Sequence, residues 1–215
     1  MDDQLAAARE ALARHDWQAA YDVLDRLSDD APVAMMEARA EAAWWLGRLD
    51  ECIPLREQAY LTHVDAGDRR AAVAIAAQLF HDHAFKARPS VAQAWVRRAA
   101  RLLEDDERDC AEYGALLVRE VEILSSSGDL PAAKAKAEQA LELARRHRDL
   151  DLEADALQSL GRIEIELGEP ENGLALYDDA MLPAVEGRLG PFITGKVYCS
   201  LMSACEELGD IRRAA

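Results

Sequence analysis

Few stretches of this chain combine the residue types that chemistry needs. The densest is His81-Asp82-His83. Residues two apart on a helix point in nearly opposite directions, so these two imidazoles do not share an ion as residues at a four-residue spacing can. The pair His15-Asp16 reads instead as a helix break, with Asp16 as the N-cap acceptor of the next helix. Glu104-Asp105-Asp106-Glu107, followed by Arg108 and Asp109, offers carboxylates but no glycine where a calcium-binding loop must turn, and reads as a solvated connection. Ser125-Ser126-Ser127 before Gly128 reads as a helix end. No serine sits in a nucleophile-elbow pattern, and no glycine-rich phosphate loop occurs. Cys52, Cys110, Cys199 and Cys205 are too scattered for a zinc or redox motif; they read as small core residues in a reducing compartment. The expectation is therefore no catalytic residue, no metal, no cofactor and no enzyme.

The elements that must position these residues follow from composition. Half of the 215 residues are hydrophobic and only 6% aromatic, with alanine and leucine dominant. That palette favours close-packed helices and disfavours strands. With 41 acidic against 25 basic residues the formal net charge is -16, which repels a phosphate backbone, so direct nucleic-acid binding is not expected. Met1-Asp2-Asp3-Gln4 lacks the basic and apolar regions of a signal peptide, and no apolar run reaches the length of a membrane span. A cytoplasmic protein without membrane contact is expected.

Self-similarity decides the architecture. One phrase recurs: an apolar helix, a break, then a second helix with a small residue five positions after the break and another seven later. The clearest copy spans residues 160 to 180, with Leu160, Gly161, the break at Gly168, Gly173 where alanine is usual, Tyr177 and Ala180. The same phase places Cys52 and Ala59 after Gly47, Ala92 and Ala99 after Ala87, and Ala133 and Ala140 after Gly128, while Ala214 follows Gly209. The breaks fall at 47, 87, 128, 168 and 209, a period of 40 or 41 residues. A degenerate first copy breaks at His15 and carries Ala20 and Leu24.

Proline gives an independent check, because it is tolerated in a helix's first turn. Pro89, Pro131 and Pro170 each follow a break by two or three residues and should open a second helix, and Pro54 lies about one turn into a helix beginning near Asp50. Glycine at a break suits the left-handed conformation that ends a helix. The sequence therefore predicts an all-α fold, a right-handed superhelical solenoid of antiparallel helix pairs over residues 1–215. Its units are 1–30, 31–67, 68–106, 107–148, 149–188 and an incomplete 189–215. Because the sixth unit stops mid-helix, a fragment of a longer protein is expected.

These residues carry a resemblance. The phrase with Leu160, Gly161, Gly168, Tyr177 and Ala180 resembles a tetratricopeptide repeat, with longer helices and connections than the usual period near 34. The chain also resembles the repeat region of bacterial LuxR-type transcriptional regulators. That likeness lies in Ala43-Trp44-Trp45-Leu46-Gly47, in Asp82-His83 through Arg88-Pro89, and in Thr194 through Leu201 leading to Ala204 through Asp210. It implies a sensing or scaffolding module, without the family's DNA-binding domain in this segment.

In tetratricopeptide solenoids the first helices line the concave surface, so residues about 3, 6 and 13 positions before each break are the natural contacts. That nominates Glu37, Glu41, Trp44 and Trp45, then His81 and Phe85, then Arg119 and Glu122, then Gln158, Arg162 and Glu166, and Lys196. Trp44 and Trp45 cannot both point inward, so one is expected in the core and the other partly exposed. Glu37, Ala77, Val118 and Gln158 stand where some such domains clamp a peptide carboxylate with Lys and Asn, and no such clamp is visible. Acidic groups outnumber basic ones in the groove, which suits a basic or amphipathic partner helix. The function expected is a protein- or peptide-interaction module, the sensory or scaffold arm of a bacterial regulatory protein. The alternative is a small-ligand or signalling-peptide receptor domain of a transcriptional regulator.

Overall fold

A computed structural model describes residues 2–25 and 31–210. In chain order the helices are α1 (Asp2–Ala13), α2 (Trp17–Val23), α3 (Val33–Trp45), α4 (Leu49–Asp65), α5 (Arg69–Phe85) and α6 (Pro89–Ala99). After a 3-10 turn at Asp105–Glu107 come α7 (Ala111–Ser126), α8 (Leu130–His147), α9 (Leu150–Glu166), α10 (Pro170–Val185) and α11 (Pro191–Leu208). No strand occurs among the described residues, and none of their helices is long and apolar enough to cross a membrane. The chain divides into two compact halves, Met1–Leu103 and Glu104–Ala215.

Every break read from the sequence is a left-handed residue: His15 at φ 58°, Gly47 at 73°, Ala87 at 54°, Gly128 at 83°, Gly168 at 89° and Gly209 at 71°. The closure is the same each time. The amide of the next residue donates to the carbonyl five residues back, as in Arg48 to Ala43 (2.8 Å), Asp129 to Leu124 (3.0 Å) and Asp210 to Cys205 (2.9 Å). This satisfies carbonyls that the helix end would leave orphaned. The following helix is then capped: Asp16 accepts from the Ala19 amide at 3.1 Å and Asp129 from Ala132 at 3.2 Å. Pro89 and Pro170 are the first residues of α6 and α10, Pro131 is the second residue of α8, and Pro54 lies inside α4.

Small residues at constant phase mark where the paired helices touch. Ala20, Cys52, Ala59, Ala92, Ala99, Ala133, Ala140 and Ala180 are all buried. The glycine at 173 has a specific cause. A Cβ there would lie 2.6 Å from the Gly161 carbonyl oxygen and 2.6 Å from Ile165 Cγ1, so α9 and α10 approach too closely for alanine. The last copy's small residue, Ala214, lies outside the described residues.

Within the N-terminal half, Ala11, Ala20, Tyr21, Ala40, Ala43 and Cys52 form one core cluster, against which Trp44 packs from its edge. Within the C-terminal half, one cluster joins Val121, Ala133, Ala137, Leu160 and Ile163, and another joins Ile165, Tyr177, Leu201, Ala204 and Cys205. Two expectations are corrected. Cys199 is exposed, because it lies on the side of α11 away from Val197, Leu201 and Ala204, although the other three cysteines are buried. Neither tryptophan of the Trp44–Trp45 pair is a core residue: both are half-buried at the end of α3, where the helix emerges from its neighbours.

Candidate functional site

Five ring residues of the N-terminal half, His15, Trp17, Trp44, Trp45 and Phe85, gather where first helices end. Trp44 and Trp45 close α3, Phe85 closes α5, and His15 and Trp17 flank the α1–α2 turn. His15 stacks on Trp17 at 5.0 Å between ring centroids and Trp17 on Trp45 at 4.9 Å, with interplanar angles of 22° and 11°. Trp44 meets Trp45 edge-on at 4.9 Å and Phe85 at 6.0 Å. The result is a continuous row across α1–α2, α3 and α5. Phe85 is 62% exposed and the three indoles are half-buried, so much of the row's apolar surface meets water. Aromatic surface at a solvent boundary is the material of binding hot spots.

The same half holds a buried ion pair. Arg56 of α4 donates to Asp82 of α5 at 2.5 Å, with the Cys52 thiol 3.8 Å from the same carboxylate. Burial pushes the Asp82 carboxyl up, and Arg56 offsets part of that push. Burial also pushes the Cys52 thiol up to about 12, which removes it as a nucleophile near neutral pH. His81 is half-exposed and His83 buried, so the two imidazoles diverge. Among the described residues no group of three His, Cys, Asp or Glu is placed to hold a metal. Glu37 faces sideways to His63 of α4, 2.5 Å away.

The C-terminal half holds a different site. Asp155 of α9 is buried and accepts from Arg119 of α7, from Lys196 of α11 at 2.7 Å, and from Gln158 at 3.0 Å. Lys196 also pairs with Glu122 at 2.7 Å, and Arg119 approaches Glu122 at 3.5 Å. Burial raises the Asp155 carboxyl, but Lys196 and Arg119 outweigh it and hold the group below the usual carboxylate range. A second network joins Arg162 to Glu166 and to Glu207, both at 2.6 Å. Positive and negative groups balance inside the first network. Its first helices spend their polar side chains on one another.

The residues that the phase rule nominates fall into separate groups in the structure. It brings Trp44, Trp45 and Phe85 together, with Glu41 one turn earlier on α3. It also brings together Arg119, Glu122, Gln158 and Lys196, of which Arg119 and Gln158 are buried. Arg162 and Glu166 pair with each other. Sequence reasoning missed Trp17 and His15 as members of the row, and missed Asp155, the centre of the network. A signal for the last existed: Asp155 stands thirteen residues before Gly168, as Lys196 stands thirteen before Gly209.

No protein-family model matches the sequence, and no curated protein matches it. Solved structures do. A thermophilic tetratricopeptide-repeat protein of Thermus thermophilus superposes with a TM-score of 0.62 at 16% identity, over 94% of this chain and 98% of that one. BtubC of P. vanneervenii gives 0.61 at 16% identity over 86% and 80%. A signal-transduction ATPase with numerous domains and a tetratricopeptide-repeat sensor, from Pyrococcus horikoshii, gives 0.64 at 16% identity over 92% of this chain but 30% of its own. At such identities the likeness establishes the fold: antiparallel helix pairs of the tetratricopeptide type.

Proposed function

We propose that this chain is a protein-interaction module, the sensory or scaffold arm of a bacterial regulatory protein working in the cytoplasm. It holds a basic or amphipathic helix on the aromatic row of its N-terminal half and catalyses nothing. The observation that supports this most is the row itself, from His15 to Phe85, aromatic and partly exposed on a chain whose net charge is -16. An aromatic strip on a chain of net negative charge suits a helix that carries an apolar stripe between basic flanks. The neighbour from P. horikoshii, whose repeats are described as a sensor, lends support to the regulatory setting. A polar small-ligand pocket is a weaker reading, since Arg119 is buried against Asp155 rather than lining a cavity.

Calorimetric titration with a synthetic basic amphipathic helical peptide tests the proposal. Trp45→Ala and Phe85→Ala should each weaken binding by about tenfold or more, the scale of a hot-spot aromatic. Raising ionic strength should weaken it further through screening. Unchanged binding by both variants, or tighter binding at high salt, sinks the reading.

A further inference from the structure

Glu41 is the odd member of the aromatic face. It lies three and four residues before Trp44 and Trp45 on α3, which puts its carboxylate on the same side of the helix as both indoles. It is exposed and makes no ion pair or hydrogen bond among the described residues. Several cations of the N-terminal half, Arg56 beside it among them, are committed elsewhere. Arg56 pairs with Asp82, Lys86 with Asp50 at 2.7 Å, and Arg14 lies 3.6 Å from Glu10. Arg39 donates to the Tyr21 hydroxyl at 3.1 Å, and Arg48 sits over the Tyr21 ring at 4.3 Å.

We propose that Glu41, Trp44 and Trp45 form a receptor for one arginine side chain of the docked partner, the guanidinium lying against indole and forking to the carboxylate. This rests on the aromatic row being the docking surface. An apolar residue placed there would cover an unpaired carboxylate and leave it without compensation. An ammonium would answer the charge but not the plane of the rings; a guanidinium answers both, since it stacks on aromatic faces and offers parallel N–H donors to a carboxylate. The condition of Glu41 agrees with a missing cation. Desolvation by its surroundings raises its carboxyl above the usual range, and the charges of Arg56 and His15, which face it from α4 and the α1–α2 turn, only partly reverse that.

The experiment uses the full chain and two small probes, N-acetyl-arginine methylamide and its uncharged analogue N-acetyl-citrulline methylamide. Binding is followed by the indole N–H resonances of Trp44 and Trp45. The arginine probe should shift both resonances and bind about fivefold or more tighter than citrulline, with the preference lost in Glu41→Gln. Affinity should rise with pH as Glu41 ionises. Equal binding of the two probes, or an arginine preference that survives in Glu41→Gln, overturns the receptor. A lysine probe that matches arginine overturns the assignment to guanidinium. If the probes fail while the basic peptide still depends on Trp45 and Phe85, the interaction module stands and only the arginine receptor falls; if peptide and probes both fail, both fall.

Discussion

Asp155 shows why a residue's type says less than its company. It is buried, yet it keeps its charge because Lys196, Arg119 and Gln158 supply donors from three directions. Replacing it by alanine leaves Arg119 with Glu122 as its remaining counter-charge and without its hydrogen-bonded carboxylate, and removing one partner of a buried pair costs about 3–5 kcal/mol. Urea unfolding of Asp155→Ala should show that loss, whereas Arg119→Met combined with Asp155→Leu should recover most of it. The pH dependence has a definite sign. The folded carboxyl is held down, so its stabilisation is present above the unfolded value and is lost as pH falls through the folded one. The wild type should therefore lose stability on acidification more steeply than Asp155→Asn, measured by urea midpoints across the acid range. Phase alone nominated Glu122, Gln158 and Lys196 in the sequence. Which charge meets which depends on the stagger of α7, α9 and α11, and that stagger has no signature in any single helix.

At the scale of elements, the sequence is legible wherever the backbone demands a particular residue. Glycine stands at four of the six breaks read from the repeat, and the Cβ penalty of left-handed backbone is the reason. Ala87 is legible only because the period points to it, and His15, 32 residues before Gly47, only as the break of a degenerate first copy. The turns between pairs are left-handed at Gly67, Arg148 and Gly187, and Arg148 carries no local glycine signal. Ala87 is the direct test: at φ 54° it bears strain that glycine does not, with little around it because α5 has ended. Ala87→Gly should stabilise the protein by about 0.5–1 kcal/mol, the left-handed penalty less glycine's extra chain entropy. Gly173→Ala should act oppositely. Its new Cβ meets the Gly161 backbone carbonyl as well as the Ile165 side chain, and overpacking of that kind costs about 1–3 kcal/mol. Thermal unfolding of both variants checks the pair; a stabilised Gly173→Ala would contradict the close approach of α9 to α10.

For the whole molecule, the repeat period runs without interruption from Gly47 to Gly209, whereas the contacts divide the chain at Leu103 and Glu104. Periodicity reports local hairpins, each specified by its own turn and small residues; it carries no information on how densely one hairpin is tied to the next. Each half has core clusters of its own, Ala11 through Cys52 in one and Val121 through Ile163 in the other. The boundary carries the acidic 3-10 turn at Asp105–Glu107 in place of a full-length helix. Stability in a repeat protein is a sum of hairpins and nearest-neighbour interfaces, so each compact unit is expected to behave as a cooperative block of its own. Residues 1–103, produced alone, should keep their helicity by circular dichroism and bind the basic peptide within about twofold of the full chain, since the aromatic row and Glu41 lie inside that block. Limited proteolysis should cut first between residues 104 and 109 and leave two helical fragments. An unfolded 1–103 fragment would instead mean that the hairpins on the two sides of Leu103 stabilise one another, with partner binding coupled to the C-terminal half as well.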